Sequence, residues 1–69
     1  MIHMIVAGMD VIGFFNFDEP IYMDDIVKAD GRYYRVNNKR RLIDEEGNVI
    51  PVLDTSMSMR VLNNEDSKS

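Results

Sequence analysis

Asp25-Ile26-Val27-Lys28-Ala29-Asp30-Gly31-Arg32-Tyr33-Tyr34-Arg35-Val36, followed by Arg41-Leu42-Ile43-Asp44-Glu45-Glu46-Gly47-Asn48-Val49-Ile50-Pro51-Val52-Leu53, holds two turn signals, each set between β-forming runs. Asp-Gly is among the dipeptides that best supply the positive φ angles of a two-residue hairpin. With such a turn at Asp30-Gly31, Ala29 faces Arg32, Lys28 faces Tyr33 and Val27 faces Tyr34. Val27, Ala29, Tyr34 and Val36 then share one side, and Lys28, Tyr33 and Arg35 the other. A three-residue turn with Gly31 in a bulge would instead pair Ile26 with Tyr34. The first register gathers more apolar residues and is the one expected. Glu45-Glu46-Gly47 reads as a type I turn closed by a left-handed glycine, which sets Leu42 opposite Ile50 and Ile43 opposite Val49.

Met1 to Ala7 suits a strand that ends at Gly8, with Ile2, Met4 and Val6 on one side and His3, Ile5 and Ala7 on the other. Apolar residues on both sides require cover on both faces, by the chain itself or by a second subunit. His3 in that setting reads as a hydrogen-bonded core or interface residue. Residues 8–25 lack a clear period, and Val11 to Phe17 is either a short strand or an irregular loop. Phe14, Phe15 and Phe17 cannot all point one way, so part of that aromatic surface is expected to meet another chain or to cap an open barrel end.

Asn37-Asn38-Lys39 reads as a loop or strong bend, and Pro51 calls for a sheet edge or bulge because it has no amide hydrogen. Asp54-Thr55-Ser56 reads as a break before a last strand over Met57 to Leu62. Asn63 to Ser69 is polar and is expected to be disordered. No window shows capped helical spacing. The expectation is one small domain over residues 1–62, all-β, an antiparallel meander of five or six short strands rolled into a barrel.

The chain has 69 residues, no cysteine and a single histidine. A domain of this size buries only about 60% of its unfolded surface. Disulfides are unavailable and a structural metal is disfavoured, so stability must come from packing or association. The lack of cysteine fits a reducing compartment, and cytoplasm is the expected location. Gly8, Asp10 and Gly13 interrupt the apolar start and no Lys or Arg precedes it, which disfavours a signal peptide or a membrane span.

Net charge is −4, which disfavours nucleic acid as a partner. Residues 1–25 carry a net −5 with no base, residues 26–43 a net +5, and residues 44–69 a net −4. Either neighbouring strands carry opposite signs that attract across the sheet, or the middle segment is a basic stripe for an acidic partner. In the second reading Arg35, Lys39, Arg40 and Arg41 make the contacts. A nucleic-acid version stacks a base on Tyr33 and holds phosphates with the basic residues of 28–41.

The 25–36 hairpin followed by a second hairpin resembles the SH3-like small β-barrels of many bacterial and phage proteins, over about residues 24–62. The likeness implies the barrel and, by analogy of fold alone, an accessory or regulatory role of phage type. It carries no site residue across, because that fold hosts peptide binders, nucleic-acid binders and scaffolds alike.

Catalysis is disfavoured: there is no cysteine nucleophile, His3 lies in an apolar strand, and Asp24-Asp25 and Asp44-Glu45-Glu46 are not placed to converge. No metal site and no cofactor cradle is expected. What remains is a binding or structural role. Three phenylalanines and six methionines exceed what so small an interior readily encloses, and methionine suits adaptable contact surfaces. A homo-oligomer is expected, a dimer first, or else a larger protein partner. Met9, Phe14, Phe15 and Phe17 are the expected protein-contact residues.

Overall fold

The computed structural model describes residues 1–58, which form five strands and no helix: β1 (Ile2–Ala7), β2 (Asp10–Asn16), β3 (Ile26–Ala29), β4 (Arg32–Ile43) and β5 (Val49–Met57). They make one curled sheet in the order β2-β1-β5-β4-β3, a half-barrel. The expected all-β class is what folds. The strand expected over Met57 to Leu62 and the polar tail at 63–69 fall outside the described residues, apart from Met57, which ends β5, and Ser58.

Both hairpins take the expected registers. Val27 pairs with Tyr34, Lys28 with Tyr33 and Ala29 with Arg32, with Asp30 and Gly31 at φ 53° and 74°. Leu42 pairs with Ile50 and Ile43 with Val49. There the Gly47 amide donates to the Asp44 carbonyl at 3.0 Å with Gly47 at φ 88°, the left-handed closure its sequence calls for. A third hairpin turns at Gly8-Met9, and it makes Val11 to Asn16 part of a strand and not a loop.

Three expectations change. First, the sheet is not a pure meander, because β1 and β5 run parallel, with Met4 opposite Val52 and Ala7 opposite Thr55. Strands that are apolar on both sides gain most from the middle of a sheet, and these two occupy it. Second, Asn37-Asn38-Lys39 does not interrupt the chain: β4 runs through it with one bulge between Val36 and Asn38, which absorbs Asn37. Third, Asp54-Thr55-Ser56 does not break β5. The Asp54 carboxylate is held across the strands by Arg40, and Thr55 Oγ1 donates to the Val6 carbonyl at 3.0 Å, so polar side chains find partners inside the sheet. Pro51 is paired with Arg41 on one side, and the β1 ladder starts only at Val52, so the proline sits where that side of β5 is still an edge.

The inner, concave face holds the main core of Ile5, Ile21, Val27, Ala29, Tyr34, Val36 and Leu53, with Ala7, Ile12, Phe15 and Phe17 packed against it. The outer face carries a second cluster of Met4, Val6 and Val52, with Ile50 against it. β1 thus serves both clusters through its alternating side chains, as its two-sided sequence requires.

Candidate partner-binding surfaces

The outer cluster is the centre of a larger apolar patch. Cross-strand pairing aligns Phe14, Met4, Val52 and Arg40 in one row over four strands, with Val11 opposite Val6 and Leu42 opposite Ile50 in the neighbouring rows. Met4, Val6 and Val52 are buried beneath their neighbours, whereas Ile2, Val11 and Phe14 are each more than half exposed and Leu42 is also exposed. The patch is bordered by polar groups: Arg40 grips Asp54 through two hydrogen bonds of 2.8 and 3.0 Å, and Asn38 Nδ2 donates to the same carboxylate at 3.3 Å. An apolar centre with a hydrogen-bonded polar border is the anatomy of a protein contact surface.

Of the expected contact residues, Phe14 lies on this patch and Met9 is fully exposed at the tip of the first hairpin. Phe15 and Phe17 turn the other way, to the main core, where Phe17 meets the His3 ring edge-on at 5.6 Å. Alternation along β2 forces this split. The sequence alone did not single out Ile2, Val11 and Leu42, the other exposed apolar residues of this patch. For Leu42 the signal was present in the adjacent apolar pairs Leu42-Ile43 and Val49-Ile50, which put one apolar residue on each face of the ribbon.

The expected cations do not form one stripe. Arg35 and Arg40 lie on the outer face and Lys39 and Arg41 on the inner, because the Asn37 bulge resets the alternation and adjacent residues point opposite ways. Arg40 is committed to Asp54, the one ion pair among the described residues. Its hydrogen bond to Asp54 raises the Arg40 pKa above its ordinary value, and the same bond leads in lowering that of Asp54. Lys39 Nζ donates to the Ile21 carbonyl and stands 5.9 Å from the Tyr22 ring centre. Lys28 lies 5.8 Å over the Tyr33 ring. The opposite-sign reading of the charge pattern is thus met by a single pair, between β4 and β5.

Two grooves flank the sheet. A smaller one of about 300 Å³ runs past His3, Lys39, Arg41, Pro51 and Leu53. His3 is buried there and donates from Nδ1 to the Met1 carbonyl at 3.1 Å, a hydrogen-bonded interior histidine as its setting implied. A larger one of about 470 Å³ lies where the half-barrel stays open, between residues 16–21 and β3. Asp44 acts within its own turn: Oδ1 accepts from the amides of Glu46 and Asn48 at 2.9 and 2.8 Å, and the Asn48 bonds lead in pulling its pKa below the ordinary value. Among the described residues no three acidic or imidazole groups converge as metal ligands, and no helix is long and apolar enough to cross a membrane.

The sheet and its surfaces define a small all-β protein with an open barrel-like curl. No protein-family description, curated protein or solved structure matches the chain.

Proposed function

We propose that this chain is a non-catalytic, self-associating structural or protein-interaction module, an accessory or regulatory protein of phage type that works as a homodimer. The observation that carries the proposal is the outer-face patch centred on Met4, Val6 and Val52 and edged by Phe14, Val11, Ile2 and Leu42. A sheet one layer thick normally leaves its second face polar; this one carries an apolar patch over β2, β1 and β5, with Leu42 of β4 at its edge. Two copies related by a twofold axis bury the patch against itself, stacked as sheets stack at about 10 Å. The curl is compatible with a small SH3-like barrel, a fold that serves scaffolds and binders equally. The cysteine-free composition favours the cytoplasm.

Light scattering from low micromolar to near-millimolar concentration tests this. A dimer is expected, and Phe14→Ser is expected to convert it to a folded monomer. A strict monomer at the highest concentration refutes the proposal.

Nucleic-acid binding through the 28–41 hairpin is the second reading, favoured by the placement of Lys28, Tyr33 and Arg35 on one face. The engagement of Arg40 and the inward position of Lys39 and Arg41 reduce that surface to two cations and one ring. Retention of mixed single-stranded oligonucleotides at low salt supports it, and no retention removes it.

A further inference from the structure

We infer that the open seam of the half-barrel is a strand-addition site for an extended, cationic peptide segment. This goes beyond self-association and uses a different surface.

β3 is an edge strand. Its antiparallel partner is β4, and the tight two-residue turn makes Ala29-Arg32 and Val27-Tyr34 the hydrogen-bonded pairs. The bond from the Val36 amide to the Asp25 carbonyl, at 2.9 Å, continues that alternation. By the same rule the amides and carbonyls of Ile26 and Lys28 point away from β4, into the groove of about 470 Å³. No backbone group of residues 18–21 across the groove bonds to them; the Ile21 carbonyl takes its hydrogen bond from Lys39 instead. An edge with its outward amides open beside a roomy groove is the geometry that strand addition uses.

The lining decides which peptide fits. Phe17, Ile21 and Val27 supply an apolar floor. The rim carries Asp18, Glu19 and Asp25, all without an ion-pair partner among the described residues. Asp25 spends one oxygen on the Tyr22 amide at 2.8 Å and keeps the other. Lys28, the single cation of the lining, stands over Tyr33. A segment that alternates apolar and basic residues places its apolar side chains on the floor and its cations at this acidic rim, while its backbone completes the ladder at Ile26 and Lys28. A neutral or acidic strand meets the same amides but finds repulsion at the rim.

The test uses three short peptides with blocked ends: alternating Lys and Val, alternating Glu and Val, and the Lys-Val peptide with alternate amides N-methylated. Binding is followed by amide shifts in the labelled full chain, in wild type and in the Phe14→Ser variant, so that self-association and peptide capture are read separately. The Lys-Val peptide is expected to bind both proteins and to perturb the Ile26 and Lys28 amides. N-methylation is expected to abolish binding, and Asp18→Asn with Glu19→Gln, both exposed positions, to weaken it by about threefold per charge. Equal affinity for the Glu-Val or N-methylated peptide, or shifts that bypass Ile26 and Lys28, overturns the inference. So does no binding of the Lys-Val peptide at millimolar concentration, whether or not the chain dimerises.

Discussion

Replacing Leu53 by Ala removes the residue on which the inner core converges. Leu53 is fully buried, lies on the central strand β5, and pairs with Ile5 on one side and Lys39 on the other. Leu-to-Ala changes at such sites cost about 2–5 kcal/mol, the larger values arising where the surroundings cannot collapse into the cavity. A rigid ladder on both sides leaves little room for collapse, so about 3–4 kcal/mol is expected. At about 0.05–0.15 kcal/mol per residue, a chain of this length has only about 3–10 kcal/mol to lose. The loss lowers the urea midpoint by about 2–4 M for a slope near 1–1.5 kcal/mol/M, and places the variant close to unfolding at room temperature. The matched control is Ile43→Ala in β4, whose side chain is 72% exposed; it is expected to change stability by less than about 0.5 kcal/mol. Both are measured by urea titration at one fixed protein concentration, since association adds to apparent stability. A Leu53→Ala loss below about 1 kcal/mol with an unchanged slope would refute the placement of Leu53 at the centre of the core.

Gly31→Ala meets no atom within 4 Å, so its cost comes from φ +74° alone and is expected at about 1 kcal/mol, read from the same titration. Thr55→Val keeps the side-chain shape but removes the donor to the Val6 carbonyl; a loss of about 1 kcal/mol is expected, and no loss would show that the bond contributes nothing to the parallel seam. Asp44 and Asp54 both have native pKa values below the ordinary 3.8. Their contribution is therefore complete above that value and is lost as pH falls through the lowered native values. Urea midpoints are expected to hold level from neutral pH to about 5 and to fall below about 4; the Asp44→Asn, Asp54→Asn double variant is expected to fall less over that acid range, and an equal fall would assign the acid sensitivity elsewhere.

The hairpins were legible because each is a local event. Asp30-Gly31 and Gly47 adopt the positive φ that few other residues tolerate, and the turn length then dictates every pairing along the flanking strands. The first hairpin was less legible, since Gly8-Met9 is a weak turn signal and Ile12 enters as the extra residue of a bulge that scrambles the alternation of β2. Asn37-Asn38 and Asp54-Thr55-Ser56 misled for a shared reason. Their residue types favour turns when isolated, and only partners distant in sequence make them strand residues: Arg40 and Asn38 for Asp54, Val6 for Thr55, Asp54 for Asn38. The candidate contact residues divided likewise. Phe14 and Met9 are exposed, but Phe15 and Phe17 were drawn to the core by a strand whose existence the local pattern left open.

Taken alone, the order of residues determined that this chain makes β-ribbons, where two of them turn, which residues face each other within them, and that its apolar content exceeds one small interior. Those properties depend on φ preferences, side-chain alternation and composition, all of which act over a few residues. Tertiary structure alone decided that β1 and β5 lie side by side in parallel, that part of the surplus apolar surface forms a patch on the outer face, that the basic run divides between two faces, and that the barrel stays open beside β3. Each of these depends on which strand covers which, a choice made by the burial of β1 and β5 on both sides at once, and no window short enough to read along the chain contains both strands.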